Sequence, residues 1–345
     1  MEAKTMTVMA EEGERLRTAA KRKPLPPNTL DDVIPPDRDY AYFEASYTHP
    51  FRHASDGFEM INAWWLAEAA FLAYAEPQFA EPRFQSAGLP EVRFFSGEST
   101  QCYVAHNDDF VIVAFRGSES RKREGAHRRD IHYIVADWLV DLNIDLVDSG
   151  QGGSVHQGFK EALDEVWNTQ EQAGEHQGLA SYLDEVSNEG GRRRSVWFTG
   201  HSLGAALATL AAAQYGNVAG LYTFGSPRVG DRTFAAGFRV NTYRFVNNDD
   251  LVTKVPLAGL YRHVGTTKYI DHEGILRHSP SLWGRAKDGL REVLSNASNW
   301  GLRRWERELP ENSLTDHAPI YYATHIWNNL CQGPSGSAQV ARHRV

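Results

Sequence analysis

Residues 195–213 have the residue types and spacing that can make a serine into a nucleophile. The segment SVWFTGHSLGAALATLAAA is a β-branched and aromatic strand that leads through Gly-His-Ser-Leu-Gly (200–204) into a helix of small residues. A strand that turns this sharply into a helix brings its backbone close together, which requires Gly200 and Gly204 and strains the residue between them. The pattern therefore predicts that Ser202 presents its hydroxyl for attack. The alternative is an ordinary buried serine at a strand-to-helix turn.

The helix that follows Ser202 meets a second chemical requirement. Attack on an ester carbonyl creates an oxyanion, which needs hydrogen-bond donors. The first N–H groups of a helix have no helical acceptor, and the positive end of the helix dipole lies there. These groups suit the oxyanion of acyl transfer.

A nucleophilic serine also needs a base that accepts its proton and a carboxylate that orients the base. The segment Asn247 to Asp250 ends a predicted strand, so it places Asp249 and Asp250 at the carboxyl edge of a sheet, where active sites are built. In α/β-hydrolases the acid and then the histidine follow the serine along the chain. Spacing alone leaves both aspartates open, together with six histidines: His263, His272, His278, His317, His325 and His343.

The elements that must position these residues alternate between strand and helix. An apolar periodicity of three and four residues predicts an amphipathic helix within 57–74. A polar turn at 107–109 separates two strands, and the second, Phe110 to Phe115, is apolar throughout, as expected for a strand covered on both faces. A helix at 158–167 and strands at 195–199, 220–224 and 243–246 continue the alternation. This order predicts an α/β fold with a mostly parallel central sheet flanked by helices.

Composition sets limits on the class of protein. With 345 residues, 41% of them hydrophobic and 23% charged, the chain can bury one large core, and its net charge of −8 argues against a nucleic-acid partner. No secretory leader and no stretch of 18 apolar residues is visible, so we expect a cytoplasmic protein with at most a peripheral contact with a membrane. Cys102 and Cys331 have no spacing that suggests a disulfide framework or a metal site.

The domain organisation follows from shifts in composition. Residues 1–38 are charged and then proline-rich, so they are expected to form an extended or disordered tail or a strap over the domain. We expect the α/β domain to span residues 39–332, with a charged lid region at 119–147 and a helical insertion at 281–310. Residues 333–345 are expected to form a flexible tail.

From about Asn62 to Tyr322 the chain resembles the fungal-type, or class 3, lipase family of α/β-hydrolases. Six motifs carry the resemblance in one order: Phe115 to Ser118, Val155-His156-x-Gly158-Phe159, Gly200 to Ala206, Thr223 to Gly230, Asn247 to Pro256, and Asp316 to Tyr322. The resemblance implies an α/β-hydrolase fold with a lid segment. It also implies a serine ester hydrolase that uses no metal and no organic cofactor.

Matching the motifs residue by residue implies a role for each candidate. Asp250, directly before the Leu-Val pair, matches the family acid, and His317 matches the family histidine; a minority alternative keeps Asp249 as the acid. The resemblance implies that the backbone N–H groups of Leu203 and Ser118 bind the oxyanion. It also implies that Asp141 supports Ser118. His201, beside the nucleophile, is expected to be a packed histidine rather than the base, because adjacent residues on the elbow point apart.

The chain departs from the family in two segments. The lid region carries basic residues at Arg121, Lys122, Arg123, Arg128 and Arg129, which form either a solvated loop or a patch that attracts anionic lipid. The insertion at 281–310 combines tryptophan with arginine, which is the composition of an interfacial helix. The alternative is a helical cap whose tryptophans pack on the domain.

These features favour a lipase that hydrolyses acylglycerol ester bonds. A phospholipase or galactolipase A1 that acts on polar lipids is the alternative within the same family. A catalytically silent lipid-binding protein is a third hypothesis, and the intact set of Ser202, Asp250 and His317 argues against it. The expected partner is a lipid or ester substrate, with a transient contact with a lipid interface; the sequence does not determine the oligomeric state.

Overall fold

A computed structural model describes residues 21–27, 34–118, 145–168, 177–191, 193–256, 258–277 and 312–332. In these residues an eight-stranded sheet forms the centre of the fold. In spatial order across the sheet, its strands are β1 (Glu91–Ser96), β2 (Gln101–His106), β3 (Phe110–Phe115), β6 (Ser195–His201), β7 (Gly220–Phe224), β8 (Thr242–Asn247), β9 (Thr266–Ile270) and β10 (Leu276–Arg277). Strands β4 (Leu146–Asp148) and β5 (Ser154–His156) form a separate antiparallel pair.

The five consecutive strands β3, β6, β7, β8 and β9 run parallel, while β1, β2 and β10 extend the sheet antiparallel. The predicted α/β fold with a mostly parallel sheet is therefore confirmed. Every residue of β3 is buried, as its unbroken apolar sequence requires, because helices cover both faces of the sheet at this strand. The carboxyl ends of β6, β7 and β8 meet at one edge, where the candidate residues lie.

The helices are α1 (Met60–Leu72), α2 (Pro77–Ser86), α3 (Gln157–Trp167), α4 (Leu179–Ser187), α5 (Leu203–Tyr215), α6 (Arg232–Gly237), α7 (Asn312–His317) and α8 (Pro319–Gln332). Short 3₁₀ turns lie at Glu189–Gly191 and Val252–Lys254. Helices α1 and α8 belong to the hydrophobic core on one face of the sheet, and α3, α4 and α5 belong to the core on the other face.

Helix α1 differs from the amphipathic helix that its periodicity predicts. Its residues from Asn62 to Leu72 are all buried. One side packs on β6 and the opposite side packs on α8, so the helix has no face left for solvent. A helix that is apolar all round is a core helix, and the periodicity could not show that a later helix would cover its outer side.

An extended N-terminal segment, residues 21–27, lies along α8. The indole of Trp327 donates to the carbonyl of Lys21, and the side chain of Asn328 exchanges two hydrogen bonds with the backbone of Lys23. The Lys23 ammonium lies 3.9 Å from the carboxylate of Glu68, a fully buried residue of α1. The segment therefore stabilises α8, which begins two residues after His317.

Several expectations fall on residues outside the described ranges: most of the tail at 1–38, most of the lid region, including Asp141, the insertion at 281–310 and the tail at 333–345. Cys102 and Cys331 are free thiols, and Cys102 is fully buried. Within the described part of the chain, no helix has the length and apolar character needed to cross a membrane.

Candidate active site

Ser202 occupies the sharp turn between β6 and α5. Its backbone has φ 58° and ψ −128°, a strained conformation for a residue with a side chain. A Cβ atom on Gly200 would lie 2.2 Å from the carbonyl oxygen of Gly204, and one on Gly204 would lie 2.3 Å from the carbonyl oxygen of Phe115. Both positions therefore require glycine, Gly200 because of the tight turn that the sequence pattern predicts and Gly204 because it approaches the end of β3. The turn places the Ser202 side chain at the carboxyl edge of the sheet.

Ser202, His317 and Asp250 form a continuous line of hydrogen bonds. The Nε2 atom of His317 lies 2.9 Å from Ser202 Oγ, and its Nδ1 atom lies 3.0 Å from each carboxylate oxygen of Asp250. Asp250 is fully buried, and Ser202 and His317 are each only 7% exposed. A base within hydrogen-bond reach of the hydroxyl, and a carboxylate on the other ring nitrogen, are the contacts that activate a serine.

The structure separates the two neighbouring aspartates that spacing left open. Asp250 points at His317, whereas the exposed side chain of Asp249 contacts the ammonium of Lys254 at 3.3 Å. Among the alternative histidines, His263 bonds the carbonyl of Thr253 through Nε2. His201 bonds the carbonyl of His317 and not the serine hydroxyl, in keeping with its expected packed position.

Leu203 and Ser118 are the two proposed oxyanion donors. Leu203 begins helix α5, so its N–H belongs to the first turn, which has no helical acceptors. Ser118 follows β3, and its hydroxyl oxygen is buried without a hydrogen-bond partner among the described residues. A buried hydroxyl calls for a partner, which a ligand atom or a further side chain can supply. Asp141, the expected support for Ser118, lies outside the described residues.

Tyr322, on α8, holds the carboxylate of Asp250 in place, a contact that the sequence did not predict. Its hydroxyl donates to Asp250 Oδ2 at 2.6 Å and accepts the backbone N–H of Asn247 at 3.0 Å, while the N–H of Val252 donates to Asp250 Oδ1 at 2.9 Å. Burial raises the pKa of Tyr322 well above its ordinary value, so the phenol remains a donor. Its position in the Asp316 to Tyr322 motif was the available signal, but the partner lies 72 residues away in the sequence.

Asp316 connects the loop at Asn248 to Asp250 with the turn that carries His317. Its Oδ2 atom accepts the side-chain amide of Asn248 at 3.0 Å and the backbone N–H of Asp249 at 3.2 Å. Burial raises the pKa of Asp316 to about 6, and the neighbouring charges of Asp250 and Asp249 add to this rise, although both hydrogen bonds oppose it. The ionised form of Asp316 is therefore disfavoured in the folded protein.

This shift predicts how the substitution Asp316→Asn changes stability with pH. The folded-state pKa lies above the ordinary value of 3.8, so the folded protein retains a proton that the unfolded chain loses, and stability falls as pH rises from about 4 to about 6. The amide oxygen of the substituted side chain can accept both hydrogen bonds without a charge. We expect the melting temperature of this variant to exceed that of the unchanged protein at about pH 8 but not at about pH 4. An equal gain at both pH values, or a loss at about pH 8, would contradict the assignment.

Comparisons with known proteins agree with this arrangement. The family model described as lipase (class 3) matches residues 112–260. A secreted mono- and diacylglycerol lipase 1 of Fusarium solani is 32% identical over 221 residues, which cover 61% of this chain and 59% of that protein. A secreted mono- and diacylglycerol lipase A of Penicillium cyclopium is 31% identical over 203 residues, which cover 55% of this chain and 59% of that protein. A chloroplastic phospholipase A(1) of Arabidopsis thaliana, DAD1, is 43% identical over 87 residues, or 23% of this chain and 18% of that protein. The chain thus spans 59% of the length of either fungal relative.

The expectation of a cytoplasmic protein is wrong. Both fungal relatives are named as secreted proteins, which points to an extracellular location instead. The expectation rested on the absence of visible targeting features. Such an absence says nothing about the compartment in which a folded domain works.

Proposed function

We propose that this chain, which matches the class 3 lipase family model over residues 112–260, is a serine ester hydrolase that cleaves acylglycerol ester bonds. The observation that carries the proposal is the line from Ser202 Oγ through both ring nitrogens of His317 to the buried carboxylate of Asp250. The three side chains come from different parts of the chain and meet at one sheet edge. Their meeting supports a catalytic role for each.

The proposed reaction has two half-reactions. Ser202 Oγ attacks the ester carbonyl carbon while His317 Nε2 takes the hydroxyl proton, and Asp250 stabilises the resulting imidazolium through Nδ1. The oxyanion is held by the backbone N–H groups of Leu203 and Ser118, each contributing about 10² to 10³ in rate. The C–O bond to the alcohol then breaks, and the alcohol leaves with the proton from His317. Water repeats the sequence on the acyl-enzyme, releases the carboxylic acid and restores Ser202.

Two substrate classes fit this chemistry. The names of both fungal relatives favour monoacylglycerols and diacylglycerols. The stretch that is 43% identical to a phospholipase A(1) favours a glycerophospholipid cleaved at its first acyl position as the second candidate. Asp250 orients His317, and Tyr322 holds Asp250 in place. This arrangement argues against a silent lipid-binding protein, because lipid binding alone does not require an oriented base.

The segments outside the described residues enter the proposal by composition alone. We propose that the basic lid region at 119–147 and the tryptophan-rich insertion at 281–310 make transient contact with a lipid interface. We also propose that the catalytic domain spans residues 39–332 and that Asp141 supports Ser118.

Covalent labelling tests the catalytic part of the proposal. A fluorophosphonate probe is expected to form an adduct on Ser202 in the folded protein, located by mass spectrometry of the labelled peptide. The variant Ser202→Ala should lose the label. Ser187→Ala is a matched control, because Ser187 is also buried but its hydroxyl bonds Asp184 and Tyr215, outside the site. A folded protein that forms no adduct on Ser202 would favour the silent lipid-binding protein.

A substrate series tests the lipid class. Initial rates on monoolein, diolein, triolein and phosphatidylcholine, each in mixed micelles, should be highest for the monoacylglycerol and diacylglycerol. A higher rate on phosphatidylcholine, with release of the acyl chain from the first position, would replace this proposal by the phospholipase A1 activity. Repeating the series with anionic lipid in the micelle tests the interface contact.

A further inference from the structure

His201 is a buried histidine whose two ring nitrogens both have partners. Its Nε2 atom lies 2.6 Å from the carbonyl oxygen of His317, and its Nδ1 atom lies 2.8 Å from the hydroxyl of Tyr74. A carbonyl oxygen can only accept, so Nε2 carries the hydrogen, Nδ1 accepts, and the Tyr74 hydroxyl donates. Burial and the nearby His317 ring hold the pKa of His201 well below its ordinary value, which keeps the ring in this neutral form.

Tyr74 in turn faces the loop that follows β3. A Cβ atom on Gly117 would lie 2.0 Å from the Tyr74 hydroxyl and 2.8 Å from the carbonyl oxygen of His201, so this close approach requires glycine. Burial raises the pKa of Tyr74, and the Arg116 charge and the Gly117 backbone N–H oppose the rise. The Tyr74 hydroxyl therefore lies directly against the backbone of Gly117. Gly117 directly precedes Ser118, the proposed oxyanion residue.

These contacts join three parts of the site that belong to separate elements. The Gly117 backbone packs against the Tyr74 hydroxyl, this hydroxyl donates to His201, and the His201 N–H donates to the carbonyl of His317. The loop after β3 carries the oxyanion donor, the turn after β6 carries the nucleophile, and the end of α7 carries the base. We propose that Tyr74 and His201 are positioning residues. They hold the loop that carries Ser118 and the turn that carries His317 at a fixed distance from each other around Ser202.

The proposal rests on the proposed hydrolase function and extends it to two residues that do not touch the reacting atoms. Transition-state stabilisation depends on donors placed within a few tenths of an ångström of the developing charge. His317 and Ser118 lie on different elements, and no sequence-local contact fixes their separation. The Tyr74–His201 pair spans that separation, and its rings pack against the site, with the His201 and His317 centroids 4.5 Å apart.

The substitution Tyr74→Phe tests the proposal. It removes the donor to His201 Nδ1 and the hydroxyl that packs against Gly117, while keeping the ring. We expect kcat for hydrolysis of p-nitrophenyl butyrate to fall about tenfold to a hundredfold, with KM changed less than about threefold, because the loss affects the transition state and not ester binding. The second-order rate of phosphonylation of Ser202 should fall by a similar factor.

The matched control is Tyr222→Phe. The Tyr222 side chain is also buried, and its hydroxyl accepts one backbone N–H, from Glu59, away from the site. We expect it to lower the melting temperature without a loss of kcat. A Tyr74→Phe variant whose kcat stays within about twofold of the unchanged protein, or falls no further than that of Tyr222→Phe, would overturn the proposal.

A double substitution tests whether the two residues act together. The kcat of the double variant Tyr74→Phe, His201→Phe should be no lower than that of the slower single variant. Either substitution alone already breaks the series of hydrogen bonds between the loop after β3 and the His317 turn. Independent, multiplying losses would contradict joint positioning. A normal rate in Tyr74→Phe refutes this inference alone, whereas an unchanged protein that neither hydrolyses esters nor reacts with the phosphonate refutes the hydrolase function and this inference with it.

Discussion

Replacing Ser202 with alanine is expected to lower kcat for ester hydrolysis by about a million-fold, the scale seen when a triad serine is removed. In the proposed reaction the hydroxyl oxygen forms the acyl-enzyme, and His317 Nε2 lies 2.9 Å from it. Residual catalysis of about 10³-fold over water should remain, because the backbone donors of Leu203 and Ser118 do not depend on the side chain. Initial rates with p-nitrophenyl butyrate at high enzyme concentration measure the loss.

The fold should survive this substitution. Alanine keeps the strained backbone of Ser202, with φ 58°, so the free energy of unfolding is expected to change little. Circular dichroism and the melting temperature check that the variant is folded. A folded Ser202→Ala protein that retains more than about a hundredth of the original kcat would show that another residue is the nucleophile.

Replacing Asp250 with asparagine is expected to lower kcat at neutral pH by about 10⁴-fold. Both carboxylate oxygens contact Nδ1 of His317, and each also accepts a second donor, from Tyr322 or from the backbone of Val252. An amide has only one acceptor oxygen, so its NH₂ group must face at least one of these donors. Asparagine therefore no longer orients His317 or stabilises the imidazolium, although the size of the side chain is unchanged.

The neighbouring aspartate provides the control for this prediction. Asp249→Asn changes the same functional group one residue earlier, but the Asp249 side chain is exposed and contacts Lys254 instead of His317. We expect its kcat to stay within about twofold of the unchanged protein, since exposed ion pairs contribute little. A large loss in Asp249→Asn with a small loss in Asp250→Asn would reverse the assignment of the acid.

Much of the fold could be predicted because its signals are local. The apolar run of β3, the two strands around the polar turn at 107–109 and the strand before Ser202 all appear where the residue pattern places them. Strands β1, β9 and β10 were missed, since they are short and partly exposed, and their pairing depends on distant partners. The burial of α1 on all sides was missed for the same reason, because α8 covers it from far along the chain.

The sequence by itself determined the elbow. Gly200, Ser202 and Gly204 lie close together in the chain, and the close backbone approach that requires glycine at position 200 occurs within that turn. Gly204 instead approaches the end of β3, which the tertiary structure places beside it. From spacing alone, however, the acid and the base remained a choice between two aspartates and six histidines, which only the resemblance to a family narrowed.

Only the tertiary structure decided which side chains complete the site. His317 meets Asp250 across 67 residues and Ser202 across 115, and His201 meets Tyr74 across 127. Such contacts depend on how α1 packs on one face of the sheet, how α8 packs on α1, and how α7 packs on α8. The physical reason is the distance along the chain between the residues that interact. The conformation of a turn depends on steric limits among residues close in sequence, whereas the meeting of Ser202, His317 and Asp250 depends on which surfaces of the whole chain are buried together.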